Sequence, residues 1–368
     1  MPHDLSGSLT RRSFFGDLAA VGAGLALGAC NNSEANAPTP ANSAAHDLEV
    51  DTIHWGRANS GNIFVTLAQQ KGYFADEGLT VVEDPVQNDT DAMTALGSGA
   101  IDITSNQGTS GPLKQMVTGQ DFTFVGGYML QGMYLIAKKG TTWNGIDDLV
   151  GKRVAHKAPQ IPVCYALIQA GYDPNEVVTW VSTNTSADRL AAVVAGEADY
   201  GYMSGDMLYT VNNSDDVDIV VYADELMSEY GCCRMDMRTD FVKSNPKTMR
   251  ALMRAMVRAN AYFQANIDEC VTILAKELNT NEEYVAAYLK NEHYRPDTDP
   301  VKHKIEDTYE VMQKIDLVSD EEAANFKLED HIDTSFYENA LKEISEEHAD
   351  EYPEWWASRK EFFENQNK

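Results

Sequence analysis

Apolar residues along this chain follow two rhythms that take turns. Short β-period stretches alternate with segments whose apolar positions recur every three to four residues, which predicts strand, helix, strand, helix. Thr52-Ile53-His54-Trp55-Gly56-Arg57-Ala58 reads as a strand. Asn59-Ser60 then offers a helix cap, Ile63, Phe64, Leu67 and Ala68 make one helical face, and Gly72 suits the residue just past the helix end. A second strand covers Leu79 to Glu83. Asn88-Asp89-Thr90-Asp91 opens a helix through Ala92-Met93-Thr94-Ala95-Leu96, and Gly97-Ser98-Gly99-Ala100-Ile101-Asp102-Ile103 leads into a further strand.

The same order recurs about a hundred residues later. Lys152 to Lys157 is the strand, Ile161 to Ile168 the helix with Pro162 in its first turn, and Gly171 its stop. Val177 to Val181 follows as a strand, then Thr183-Asn184-Thr185-Ser186, an apolar-periodic run from Ala187 to Val194, and Gly196-Glu197-Ala198-Asp199-Tyr200. A repeat of strand, capped helix, glycine and strand predicts two α/β units with largely parallel sheets. Two such lobes need a connection and a return. Phe122 to Tyr128 suits the first crossing, Met133 to Ala137 begins lobe 2, and Ile219-Val220-Val221-Tyr222 followed by Tyr230-Gly231-Cys232-Cys233 suits the return.

Beyond about Met235 the pattern is mostly helical. Between Lys247 and Asn266, Met249, Leu252, Met253, Met256 and Phe263 share one face, and Arg250, Arg254 and Arg258 form a stripe read as solvated. Asp316 to Lys368 holds 16 acidic and 5 basic residues. Its Trp355-Trp356 and Phe362-Phe363 predict that this tail packs on lobe 1.

The N-terminus reads as an address. Arg11-Arg12-Ser13-Phe14-Phe15 resembles a twin-arginine signal, and the apolar run from Leu18 to Ala29 is shorter than the roughly 20 residues a membrane span needs. Leu27-Gly28-Ala29-Cys30 resembles a lipobox, which makes Cys30 the lipidated N-terminus of an exported chain and the following residues a flexible tether.

Composition narrows the class. The chain has 368 residues, 29 basic against 57 acidic, a net charge of −28, and an ordinary 43% hydrophobic content. A partner carrying its own phosphates needs a basic face, so nucleic acid is excluded as the main partner. Cys164, Cys232, Cys233 and Cys270 have neither metal-ligand nor framework spacing, so no metal site is expected; Cys232-Cys233 reads as two small buried residues in a strand rather than a disulfide.

A family resemblance rests on an ordered set of segments. Asn62-Ile63-Phe64-Val65, Gly72-Tyr73-Phe74-Ala75-Asp76-Glu77-Gly78-Leu79, Gly97-Ser98-Gly99-Ala100-Ile101-Asp102, Asp147-Asp148-Leu149-Val150-Gly151-Lys152, Gly196-Glu197-Ala198-Asp199 and Ser244-Asn245-Pro246 resemble the substrate-binding proteins of ABC importers. The similar branch includes sulfonate, taurine, nitrate and thiamine-pyrimidine binders. The resemblance implies an α/β periplasmic-binding-protein type II fold, two α/β lobes joined by two crossings around a ligand cleft, closing by hinge bending. The expected layout is 1–29 export signal, 30–47 lipidated linker, 48–129 lobe 1, 130–232 lobe 2 and 233–368 the helical remainder of lobe 1. It also implies a small-molecule ligand, a permease and ATPase complex as partners, a membrane reached through the lipid anchor, a monomer, no cofactor, and a location outside the cytoplasmic membrane or in the periplasm.

In open α/β sheets ligands sit beyond the carboxyl ends of strands, where helix N-termini offer free N–H groups. The candidates there are Asn59 and Ser60; Ser105, Asn106, Thr109 and Ser110; Gln160; Thr183, Asn184 and Thr185; and Ser204 and Asp206. Tyr128, Gln131 and Tyr230 lie near the crossings, and Trp55 and Arg57 at the end of the first strand. Arg57 suits a sulfonate or carboxylate; Trp55 and the tyrosines suit a planar heterocycle. Both ligand classes stay open. The competing readings are an enzyme, since fungal pyrimidine synthases share the fold but carry a longer Cys-rich run than Cys232-Cys233, and a ligand-sensing domain. No residue is assigned a catalytic role.

Overall fold

A computed structural model of the chain describes residues 47–58 and 61–368. The export signal, the tether with Cys30, and the pair Asn59 and Ser60 lie outside the described residues. The strands in chain order are β1 (Thr52–Arg57), β2 (Thr80–Pro85), β3 (Ile103–Thr104), β4 (Phe122–Met129), β5 (Met133–Lys138), β6 (Lys152–Ala155), β7 (Val178–Val181), β8 (Tyr200–Ser204), β9 (Val217–Tyr222) and β10 (Cys233–Arg238). They form two sheets, ordered β2-β1-β3-β10-β4 and β7-β6-β8-β5-β9. In each sheet one strand runs against the rest, β10 in the first and β5 in the second. These are the strands that follow the two passages between sheets. The stretch Phe122 to Tyr128, expected at the first crossing, is itself within edge strand β4, and Ile219 to Tyr222, expected at the return, lies within edge strand β9; the chain passes over at 130–132 and returns at 227–232.

The helices used below are α1 (Ile63–Gln70), α2 (Asp89–Ser98), α3 (Ser110–Val117), α4 (Ile161–Gln169), α5 (Ser186–Ala195), α6 (Pro246–Ala265), α7 (Glu282–Leu289), α8 (Lys302–Lys314), α9 (Ser335–Glu347) and α10 (Pro353–Asn367). The repeat is mirrored in hydrogen bonds. Asp102 donates its backbone N–H to His54 of β1, and Asp199 to Arg153 of β6. Each carboxylate accepts that same residue's N–H at 2.9 Å. The aspartate of the recurring Gly-x-x-Asp pattern therefore ties the strand that follows it, β3 or β8, to its neighbour β1 or β6. Gly99 and Gly196 end α2 and α5 in the left-handed conformation at φ 77°.

The apolar face of α6 is buried, with Met249, Leu252, Met253, Met256 and Phe263 in the core. Burial of each such side chain contributes about 1.5–3 kcal/mol. The arginine stripe, read as solvated, is exposed at Arg250 but only partly so at Arg258 and buried at Arg254. Arg254 is 8% exposed and bonds Glu77, Glu343 and Glu347, while Arg250 bonds Glu343 and Arg258 bonds Asp76. Acidic side chains of the same chain, brought from both directions, satisfy it.

The acidic tail packs as expected. The segment 295–299 pairs along β4, with Gly127 N–H donating to Thr298 O at 2.9 Å and Asp297 N–H to Tyr128 O at 3.0 Å. In α10, Arg359 bonds buried Asp297 and Asn367 donates to Asp299 at 2.8 Å. α9 lies on α6, and α8 touches both α3 and α4, so it spans from one sheet's helices to the other's.

Candidate functional site

A cavity of about 830 Å³ lies between the two sheets. From the first sheet it receives the loop after β3: Asn106, Gln107, Gly108, Thr109 and Ser110. β3 is only two residues long, so the chain turns early and brings this loop to the carboxyl end of the sheet. Neither α3 nor α4 has a side-chain cap on its N-terminus. Residues at both of those ends line the cavity, Ser110 and Gly111 from α3 and Gln160 at the cap of α4. One uncapped helix end from each lobe thus offers amide N–H groups and a positive dipole end.

The second sheet adds His156, Asn184, Ser186, Arg189, Ser204 and Asp206. Ser204 and Ser186 share a hydrogen bond of 3.1 Å, and Ser204 also donates to Asp206. Arg189 is 7% exposed; its Nη1 donates to Ser186 Oγ at 3.3 Å and to Tyr202 O at 3.2 Å. Its Nε has no partner among the described residues, and no carboxylate there lies within ion-pair distance of it. Burial pulls its pKa down, opposed by the charge of Asp206. His156 is pushed down to about 3, by burial first and then by Arg189, so its imidazole is neutral. Its Nδ1 sits 2.6 Å from Gln160 Nε2 and its ring meets Tyr202 edge-on at 5.8 Å.

Tyr284 and Tyr288 from α7, with Tyr294 beyond it, close the remaining wall. Their rings form an edge-to-face chain, 5.8 Å from Tyr284 to Tyr288 and 5.2 Å from Tyr288 to Tyr294. At the rim, Lys157 after β6 pairs with Asp89 at the start of α2 at 2.8 Å, one residue from each lobe. A separate groove of about 750 Å³ runs beside edge strand β9. Lobe 2 supplies nearly all of its lining, whereas the cleft is enclosed from both sides.

Of the candidates, Asn106, Thr109, Ser110, Tyr128, Gln160, Asn184, Ser204, Asp206 and Tyr230 line the cavity. The others do not. Trp55 is fully buried and donates its Nε1–H to Ser105 Oγ at 3.3 Å, and Ser105, also fully buried, accepts a second bond from Asn62 at 2.9 Å. Arg57 points away, toward Glu83 and Glu277. Thr185 is spent in the capping box of α5, Thr183 keeps its hydroxyl buried off the cavity, and Gln131 is buried in the first passage between sheets. Asn59 and Ser60 fall outside the described residues. Sequence reading missed Asp89, His156, Lys157, Arg189 and the three C-terminal tyrosines as wall residues. Arg189 had one readable signal, an arginine in the first turn of a helix whose apolar face is otherwise regular.

The comparisons agree with this architecture. The family model described as NMT1/THI5 like matches residues 59–270. No curated protein gives a significant match. Among solved structures, the periplasmic aliphatic sulphonate binding protein SsuA from Escherichia coli is similar at 19% identity and TM-score 0.60, over 73% of this chain and 86% of that one. The periplasmic nitrate-binding protein NrtA from Synechocystis PCC 6803 matches at 18% identity and TM-score 0.64, over 83% and 92%. A ligand binding component of an ABC-type import system from Staphylococcus aureus, with zinc bound, gives 13% and 0.64, over 79% and 99%. The two-lobed fold is that of periplasmic binding proteins, and the chain belongs to the NMT1/THI5-like family.

Proposed function

We propose that this chain is the extracytoplasmic solute-binding component of an ABC importer, held at the membrane through Cys30 and delivering its solute to a permease and ATPase complex as a monomer. The observation that carries this reading is the cavity itself. Both lobes line it, each supplies one uncapped helix N-terminus, and the buried Arg189 pairs with no carboxylate among the described residues. Such a site gains most when both lobes touch the ligand at once, so ligand favours the closed state. The output is affinity, not turnover.

The ligand reading follows from the same wall. Free N–H groups at α3 and α4 with Arg189 suit an acidic head group such as a sulfonate or carboxylate. The tyrosine chain of Tyr284, Tyr288 and Tyr294 suits a planar or apolar body. A small organic anion with a ring or alkyl body uses both; an uncharged pyrimidine-like heterocycle uses only the second.

The purified protein is tested against a panel of sulfonates, carboxylates, nitrate and pyrimidines by thermal shift, with small-angle scattering on each hit. A true ligand at a hundredfold excess over its dissociation constant stabilises by about 2.7 kcal/mol and compacts the molecule. Absence of any shift, or turnover of a panel member, overturns the reading. Cys30→Ser is expected to release the protein from membranes, and continued retention removes the anchor.

A further inference from the structure

Two adjacent thiols, Cys232 and Cys233, sit in the cavity wall where the chain returns to the first sheet. Neighbouring side chains in a regular strand point to opposite faces. Here the sulfurs are 3.5 Å apart, with Cys233 Sγ–H donating to Cys232 Sγ. Cys232 precedes β10, which begins at Cys233, and the pairing with β4 slips directly after it, between Cys233 and Arg234, so regular strand alternation does not govern the pair. Thr109 fixes the run from the opposite side, donating its hydroxyl to Gly231 O at 2.6 Å and Cys232 O at 3.2 Å.

Arg234 lies against the same run. It is fully buried, its Nη1 donates to Cys233 O at 3.3 Å, and its Nε and Nη2 have no acceptor among the described residues. A Cβ on Gly231 would fall 1.2 Å from Nη2, so the guanidinium packs directly on that backbone. A desolvated cation short of acceptors favours a thiolate beside it. The S–H of Cys233 first, then Arg234, holds Cys232 below the ordinary thiol range, against its burial. Cys233 is pushed up by the shared proton and by burial. Cys164 and Cys270, each alone, are pushed up to about 12 by burial.

We propose that Cys232 and Cys233 are a redox-active vicinal dithiol opening on the cavity, which a low-molecular-weight disulfide converts to an intramolecular disulfide. The Cys232 thiolate attacks one sulfur of R–S–S–R, forming a Cys232–S–S–R bond and releasing RS⁻. Cys233, giving up its proton, then attacks Cys232 Sγ, and a second RS⁻ leaves. The two protons of the pair end on the two RSH products; two protein thiols are oxidised and one external disulfide is reduced. A ring closed by neighbouring residues is strained and so readily reduced again. Oxidation removes a thiol donor from the cavity wall, which links solute affinity to redox state. That last consequence rests on the solute-binding reading, whereas the dithiol chemistry does not.

The test therefore contains no solute. The whole protein is equilibrated with mixtures of oxidised and reduced glutathione, denatured in iodoacetamide and mapped by mass spectrometry. As the oxidised share rises, the Cys232-Cys233 peptide is expected to lose both alkylation sites together without a glutathione adduct, while Cys164 and Cys270 stay fully alkylated. Cys233→Ser is expected to stop at a glutathione adduct on Cys232, and Cys232→Ser to react far more slowly. Wild-type protein that stays alkylatable at every ratio, or that accumulates the glutathione adduct, overturns the proposal. A second measurement needs no variant: phenylarsine oxide is expected to bind one equivalent, bridging both sulfurs with loss of water, and to resist a monothiol but yield to a dithiol. Failure to bind, or ready displacement by the monothiol, overturns it equally.

Discussion

The first strand-to-helix junction of each lobe occupies the same place in the repeat, and the two are put to opposite uses. Arg57 and His156 hold equivalent positions, each three residues past the residue that the Gly-x-x-Asp aspartate contacts, His54 and Arg153. In lobe 1 none of the described junction residues lines the cavity. Asn62 caps α1 by accepting from Phe64 and Val65, its amide donates to Ser105, and Trp55 plugs the space below. In lobe 2 the junction is open: α4 has no side-chain cap, and His156 and Gln160 face the cavity. A repeated pattern thus sets where strands and helices fall, while the junction with the Asn62 cap keeps its described residues off the cavity and the uncapped one at Gln160 lines it.

Mutation separates these two uses. Trp55→Ala, in a fully buried site, is expected to cost about 3–5 kcal/mol in urea unfolding. Gln160→Ala is expected to cost below about 1 kcal/mol of stability while weakening solute binding. Equal stability losses at both sites would break the contrast.

The next largest effect concerns closure. A Cβ on Gly205, in lobe 2, would lie 2.6 Å from two ring carbons of Tyr294, but one on Gly111, in lobe 1, meets nothing within 4 Å. Gly205→Ala is expected to cost up to about 3 kcal/mol by overpacking, read as lost ligand-induced compaction in scattering. Gly111→Ala leaves compaction unchanged. Normal closure in the Gly205 variant would remove Tyr294 from the working wall.

How much of this was legible follows from where each determinant lies in the chain. The repeat, the glycine stops at Gly99 and Gly196, and the loops bearing Asn106, Ser110, Asn184 and Ser204 follow from local period and strand ends, so sequence reading found them. Arg57 failed because its partner Glu277 comes from a helix 220 residues away. Ser105 failed because Trp55 and Asn62 use its hydroxyl, and the stripe on α6 because Glu343 and Glu347 arrive from α9. Tyr284, Tyr288 and Tyr294 reach the cavity only through tertiary packing of α7, which no local pattern encodes.

Acid sensitivity is expected to follow the open junction. His156 has a folded pKa depressed to about 3 by burial and Arg189, below the unfolded value of about 6.5. Its contribution is present above pH 6.5 and is lost as pH falls toward 3. By pH 5 the loss is about 2 kcal/mol. His156→Gln is expected to flatten that part of the stability–pH curve; an unchanged slope between pH 6.5 and 5 would place the acid sensitivity elsewhere.

The smallest effect tests whether the lobes are held together at the rim. Lys157 and Asp89 are each about half exposed, 54% and 55%, so water screens their 2.8 Å contact. An exposed pair of this kind contributes about 0.2–1 kcal/mol, which shifts an open–closed equilibrium by at most about fivefold. Lys157→Ala alone confounds the latch with any pull of the lysine on an anionic solute, so the measurement is a double-mutant cycle with Asp89→Ala, read by scattering without solute. A coupling energy that fades as ionic strength rises past about 0.15 M marks a latch between lobes. A zero coupling at low salt would leave closure to the ligand alone, and the two walls of the cleft would then meet only around what they bind.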